Sequence, residues 1–218
     1  MCAKLDTTGL LADVTYAIFH GDDAADREHC CLYRRADGGY WMTAERDLTW
    51  PRPTTLYAEI RVGADWRIES LVVRLSGGLQ RDASHRAEGA LWRATIQSDE
   101  ATIERTVPFG PEMQVDFDSI WLKAITLNRL KLAPGQAREV DVIKVELPWL
   151  EPVPTRRRYE CVGLEHVTTP AGDVDAIHHV VSGAHHVWAD SRGIVVATQQ
   201  MMDRLPHGRK LLEYHWLG

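Results

Sequence analysis

Two pairs of histidines, His178-His179 and His185-His186, flank Ser182-Gly183-Ala184, with Trp188 and Asp190 just beyond. An imidazole with an ordinary pKa near 6.5 can accept or donate a proton at neutral pH, so a histidine beside a carboxylate can run proton transfer without a cofactor. On a strand the two members of each pair leave on opposite faces. With Ser182-Gly183-Ala184 as the loop, Val181 pairs with His185 and Val180 with His186. His179 and His185 then share one face, and His178, His186 and Trp188 share the other. A two-residue Gly183-Ala184 loop exchanges the sets, because one residue of register turns every side chain over. In either register imidazoles converge on one side of a hairpin. The candidate catalytic groups are His179, His186 and Asp190, with Trp188 as an apolar wall. The competing reading is of histidines that are merely exposed or packed.

Metal chemistry finds little support in linear spacing. Asp190 or Glu165 could add oxygen to a histidine set, but there is no His-Glu-x-x-His pattern. The cysteines, Cys2, Cys30, Cys31 and Cys161, form no Cys-x-x-Cys pair. No bound metal is expected. Cys30 and Cys31 leave a strand on opposite faces, so at least one should be a small buried residue. There is no Gly-x-Ser-x-Gly elbow, Gly-x-Gly-x-x-Gly turn or phosphate loop, so no nucleotide or other cofactor is expected. Asp118 reads as the N-cap of a helix rather than as a general base.

Eight tryptophans stand against three phenylalanines. Indole combines a large apolar body with one donor, which suits cavity walls as well as cores. Trp41, Trp121 and Trp188 are the candidate ligand-binding residues.

The elements that would hold these residues read as short strands joined by tight turns. Strands are expected over Val14–His20, Glu28–Arg35 and Tyr40–Leu48, the last two joined by Asp37-Gly38-Gly39, which supplies the positive φ angles of a hairpin turn. Pro51 and Pro53 mark a loop. Further strands are expected over Thr55–Val62, Trp66–Leu75, Gly89–Ser98 and Glu100–Val107. Between Asp116 and Leu130 the spacing of Ile120, Trp121, Ala124, Ile125 and Leu127 predicts one short helix. Val140–Leu147 resumes the strands, and Pro148, Pro152 and Pro154 form a stiff bridge. Arg157–Leu164, Glu165–Thr168, Asp173–Val181, His185–Asp190, Ile194–Met201 and Lys210–Trp216 complete the sheet. The fold class is mainly β: an antiparallel meander forming a barrel or strongly curved sheet, with one short helix, as a single domain over residues 1–218.

Composition narrows the partners. A net charge of -6 argues against nucleic acid, which calls for a basic face. The Arg156-Arg157-Arg158 run reads as a solvated strand end. No apolar run approaches the ~18 residues of a membrane span. The stretch from Met1 to Phe19 lacks a secretory pattern because Asp13 breaks its apolar core, so a cytoplasmic location is expected.

Several short motifs carry a resemblance. They are Leu130-Lys131-Leu132-Ala133-Pro134-Gly135, Thr169-Pro170-Ala171-Gly172-Asp173-Val174-Asp175-Ala176, Trp188-Ala189-Asp190-Ser191-Arg192-Gly193 and Leu212-Glu213-Tyr214. In these turns the chain resembles bacterial antiparallel β-meander proteins of unknown function, related to lipoprotein carriers and glycolipid-binding proteins. The resemblance covers roughly the last 90 residues. It implies binding of a lipophilic or aromatic small molecule in an internal hydrophobic pocket. The alternatives are a cofactor-independent lyase, isomerase or hydratase using a pocket histidine and a carboxylate, and a structural or interaction protein forming a homodimer through an exposed sheet edge.

Overall fold

Tight turns set the architecture. At Asp37-Gly38-Gly39, Gly38 takes φ 85°, Arg35 N donates to Gly39 O at 3.0 Å, and the chain reverses directly into the next strand. The computed structural model describes residues 7–21, 23–48, 53–202 and 205–217. Cys2 and Pro51 lie outside the described residues.

The first run of strands is β1 (Thr7–His20), β2 (Asp23–Arg35), β3 (Tyr40–Leu48), β4 (Thr54–Val62), β5 (Ile68–Gly77), β6 (Arg81–Glu88), β7 (Leu91–Ser98) and β8 (Thr102–Pro108). The short β9 (Gln114–Asp116) leads into α1 (Ile120–Leu130). The second run is β10 (Ala137–Glu146), β11 (Glu151–Thr169), β12 (Gly172–Val181), β13 (His185–Ala189), β14 (Val195–Met202) and β15 (Leu205–Trp216).

All belong to one 15-stranded sheet, ordered β8-β7-β6-β5-β4-β3-β2-β1-β15-β14-β13-β12-β11-β10-β9. Neighbours are antiparallel except β9 and β10, which run parallel. The sheet is strongly curved and is not closed into a barrel. Its far strands approach across a seam, where Arg105 of β8 holds Glu151 of β11 at 3.2 and 3.3 Å. Arg81 of β6 donates to Pro148 O at 3.0 Å.

Alternation decides which face is inside. In β4, Leu56, Ala58, Ile60 and Val62 are buried, while Tyr57, Glu59 and Arg61 point outward. Val14 and Tyr16 of β1 and Met42 and Ala44 of β3 join the same interior. The helix lies against this inner face and buries Ile120, Trp121, Leu122, Ala124, Ile125, Thr126 and Leu127. Trp121 Nε1 donates to Thr43 O at 2.9 Å, and Asn128 Nδ2 donates to Gly193 O at 3.0 Å, so each end of the helix is tied to the sheet.

Several sequence expectations change. The N-cap is Ser119, whose side chain accepts from Trp121 N. Asp118, one residue earlier, instead meets Arg46 and Arg209 at 2.7 and 2.8 Å. Trp66 sits in the turn before β5 at φ 63° rather than opening that strand. Arg157–Leu164 and Glu165–Thr168 are parts of one long strand, β11, which also absorbs Pro152 and Pro154. Strand β6 had no counterpart in the sequence reading. Cys30 and Cys31 are both buried, which meets the expectation that at least one would be. The Arg156-Arg157-Arg158 run is a row of ion pairs, with Asp141, Asp116 and Glu160. No helix among the described residues is long and apolar enough to cross a membrane.

Candidate functional site

The histidine hairpin adopts the register of the three-residue loop. Val181 pairs with His185 and Val180 with His186, while Ser182 and Gly183 supply φ angles of 52° and 75° at the turn. His178, His186 and Trp188 therefore share one face. His178 Nε2 lies 2.9 Å from His186 Nδ1, and His178 Nδ1 lies 2.8 Å from Glu165 Oε1. Trp188 Nε1 donates to Glu165 Oε2 at 2.8 Å, and its indole stacks on His178 with centroids 4.6 Å apart. The indole donor, and then His178, outweigh desolvation and hold the Glu165 carboxyl below its usual range.

This chain of bonds fixes the tautomers when both rings are neutral. Glu165 accepts from His178 Nδ1–H, so His178 Nε2 must accept from His186 Nδ1–H. His186 Nε2 then carries a lone pair, with a carboxylate two bonds behind it to stabilise an added proton.

His179 takes no part. It faces the other side of the strand opposite Val187, and its Nδ1 has no hydrogen-bond partner among the described residues. Burial, and then the neighbouring His178, lower its pKa to about 4. His185 shares that inner face, where burial, then Lys123, Arg209 and Arg157, lower it to about 2. His179 and His186 are thus on opposite sides of the sheet, and the partner of His186 is His178.

Asp190 does not meet the histidines either. Its Oδ1 accepts from Arg192 N and Ile194 N, both at 2.9 Å, and its Oδ2 accepts from Tyr214 Oη at 3.3 Å. It shapes the turn after β13 and places Arg192, whose Nη1 lies 3.7 Å from Asp190 Oδ2. Trp121 belongs to the helix core. Trp41 projects from the outer face of β3.

Two cavities stand out among the described residues. The larger, about 740 Å³, is a groove along the outer face of β3 to β7, where Trp41 and Tyr57 meet Glu45, Glu59, Arg74, Asp82 and Gln97. The smaller, about 380 Å³, is lined by Leu11, Leu32, Arg34, Tyr40, Trp66, Arg192 and Trp216. It opens at one end of the inner face, for Trp216 pairs with buried Ala12, and Tyr40 with buried Val62. Tyr40 and Trp66 stack with centroids 4.5 Å apart, Arg34 Nη1 donates to Tyr40 Oη at 2.9 Å, and the Arg192 guanidinium lies 5.2 Å from the Trp216 ring centroid. The left-handed φ of Trp66 is costly for a bulky side chain, on the order of 1 kcal/mol or more, and aims the indole at this mouth.

Sequence reading passed over Arg34, Trp66, Arg192 and Trp216 as a group. Arg192 had a signal, since it sits in the Asp-Ser-Arg-Gly turn that carried the resemblance. Trp66 and Trp216 were visible only as members of the tryptophan count.

Comparisons place the fold. A protein of the DUF1089 family from Pseudomonas aeruginosa superposes with a TM-score of 0.53 and 21% identity, covering 78% of this chain and 87% of that one. A β-barrel-like protein of domain of unknown function DUF1849 from Brucella abortus reaches a TM-score of 0.64 at 9% identity, covering 97% of this chain and 100% of that one. Both likenesses concern the fold alone. No curated protein matches the chain. One family model spans most of it, from residue 18 to residue 204, and the chain belongs to that family, whose description is "Putative glycolipid-binding".

Proposed function

We propose that this protein binds an amphipathic small molecule, a lipid bearing a sugar, at the mouth cavity of the inner face. The lining of that cavity carries the reading. Tyr40, Trp66 and Trp216 offer flat apolar rings against which sugar C–H faces or a lipid chain can pack, and Leu11 and Leu32 extend the apolar wall. Arg34 and Arg192 add donors for hydroxyl or anionic oxygens. A volume of about 380 Å³ falls in the range of small-molecule sites. The family description supports a ligand of the same class.

The test is calorimetric titration with an alkyl glucoside below its micelle-forming concentration, beside free glucose and the matching alkyl alcohol. Saturable binding of the glucoside, stronger than that of either half alone, is expected. Trp216→Ala and Trp66→Ala should each weaken it about tenfold or more, as loss of a packed aromatic anchor does. Unchanged affinity in both variants would refute the assignment.

A second reading, proton transfer, is favoured by the Glu165–His178–His186 chain and its outward lone pair. The probe is 4-nitrophenyl acetate, which any activated imidazole attacks. Hydrolysis faster than by free imidazole, lost in His186→Gln and reduced in Glu165→Gln, is the expected result. Equal rates in all three proteins would remove this reading without touching the first.

A further inference from the structure

We propose that Asp13, His29 and Cys31, on the outer face of β1 and β2, form a site for a borderline-soft divalent cation, zinc in the first place. Asp13 pairs directly with Cys31 across the two strands, and His29 lies two residues before Cys31 on the same face. One donor atom from each residue falls within 4.8 Å of the other two. His29 Nε2 is the hub, 2.9 Å from Asp13 Oδ1 and 3.9 Å from Cys31 Sγ.

The distances can be held against what a metal demands. Tetrahedral zinc, with bonds of about 2.0 Å to nitrogen and oxygen and 2.3 Å to sulfur, separates its N and O ligands by about 3.3 Å and its N and S ligands by about 3.5 Å. The observed His29–Asp13 and His29–Cys31 distances of 2.9 and 3.9 Å lie within a few tenths of an ångström of those values, and the Asp13 and Cys31 donors lie within 4.8 Å of each other. The adjustments are within side-chain reach, since His29 and Asp13 are half-exposed and exposed to solvent on one side.

His29 and Asp13 are already in hydrogen-bond contact. The Cys31 thiol beside the same imidazole nitrogen makes the set selective: thiolate and imidazole favour zinc and its transition-metal neighbours over magnesium or calcium. Three protein ligands leave a fourth position facing solvent, as in accessible zinc sites. The register offers a candidate for it, since His215 of β15 pairs with Asp13 on that face. On binding, the Cys31 thiol gives its proton to solvent and the remaining proton of His29 resides on Nδ1. Linear spacing hides this set because its members meet only once β1 and β2 pair.

The experiment uses the full chain, freed of any histidine tag and of metal by chelation, and titrated with cobalt(II) and then zinc. One equivalent of cobalt with a thiolate-to-metal charge-transfer band in the near ultraviolet is expected, displaced by zinc. Cys31→Ser should abolish the band, and His29→Gln should weaken zinc binding about 100-fold, in keeping with loss of a direct ligand. Because His29 is exposed, its variant keeps the fold and remains informative even if Cys31→Ser does not. His166→Gln, an exposed histidine beside two other carboxylates, should bind like the parent. Absence of the band in the parent, its survival in Cys31→Ser, or equal affinity of His29→Gln and parent would each overturn the proposal.

Discussion

Arg209 Nε lies 2.6 Å from Glu28 Oε2, although 181 residues separate them in sequence. Both side chains are almost inaccessible to solvent. Arg209 also reaches Asp118 Oδ1 at 2.8 Å, and Glu28 Oε1 accepts from Ile120 N at 3.2 Å, the first residue of α1. One arginine and one glutamate therefore join β2, β15 and the start of the helix. Removing one partner leaves an uncompensated buried charge, which typically costs about 3–5 kcal/mol. Arg209→Met should lower the urea midpoint accordingly. The double variant with Glu28→Gln should recover part of the loss, since it no longer buries an unpaired ion. A single variant as stable as the parent would mean that the pair contributes nothing net.

His85 carries a pH dependence. It is fully buried, Trp92 Nε1 donates to its Nδ1 at 3.3 Å, and burial lowers its pKa to about 4. The unfolded chain, with a value near 6.5, takes up the proton first. Stability from this group is therefore complete above about pH 6.5 and is lost as the pH falls through about 4, for a total of roughly 3 kcal/mol. His179 and His185, lowered for the same primary reason, act in the same direction. Urea midpoints of the parent should drop between about pH 7 and pH 4.5, and His85→Gln should flatten part of that slope. An unchanged slope would contradict the assignment.

Gly193 sits where the helix touches the sheet. Its φ is 78°, and a Cβ there would lie 2.2 Å from the Asn128 amide, which holds the carbonyls of Ala124 and Gly193. Gly193→Ala should cost roughly 1–3 kcal/mol, through both backbone strain and a displaced side chain. Gly172→Ala, at φ 119° with open space around it, should lose only the backbone part. Adding Asn128→Ala to the first variant should relieve the clash. Thermal unfolding of the four proteins separates the two contributions.

Trp66 reverses a common rule. Glycine normally destabilises relative to alanine, but at φ 63° the order should invert. Trp66→Gly is expected to be about 1 kcal/mol more stable than Trp66→Ala, while both lose the stacking on Tyr40 and bind the alkyl glucoside equally poorly. Chemical denaturation beside calorimetry checks both halves.

Much of the fold was legible because turn chemistry and alternation act locally. Asp37-Gly38-Gly39 forms its hairpin, the stripe from Ile120 to Leu127 forms the helix, and a turn at Ser182-Gly183-Ala184 reverses the chain between the two histidine pairs. Strand β6 was illegible because its inward residues include Ala83 and His85, which leave almost no apolar signal. Pro152 and Pro154 misled for a different reason. β11 pairs with β12 only from Tyr159 onward, so the prolines lie in a stretch with one unpaired side, where a missing N–H costs nothing. The site was half legible. The shared face of His186 and Trp188 follows from period two, but the loop length that brings His178 rather than His179 to that face stayed open between two registers, and Glu165 comes from the neighbouring strand. The cavity at the mouth gathers residues from β1, β2, β3, β15 and two turns, a set that only long-range pairing assembles.

The side-by-side placement of β1 and β15 has a bearing on how the chain reaches this state. Each flank of the sheet is a succession of neighbours that can zip locally as they leave the ribosome, β1 through β8 first. The middle cannot, because Ala12 waits for Trp216 and His20 waits for His207. Until nearly the whole chain has emerged, β1 shows an open edge and the interior lacks Arg209. Closing that central gap demands the largest loop in the molecule, so folding should be slow for a protein of this size and exposed to mispairing in the interval. A circular permutant that links β15 to β1 and opens at the β8 side would turn the most distant contact into a hairpin, and would refold faster without altering a single side chain in the sheet.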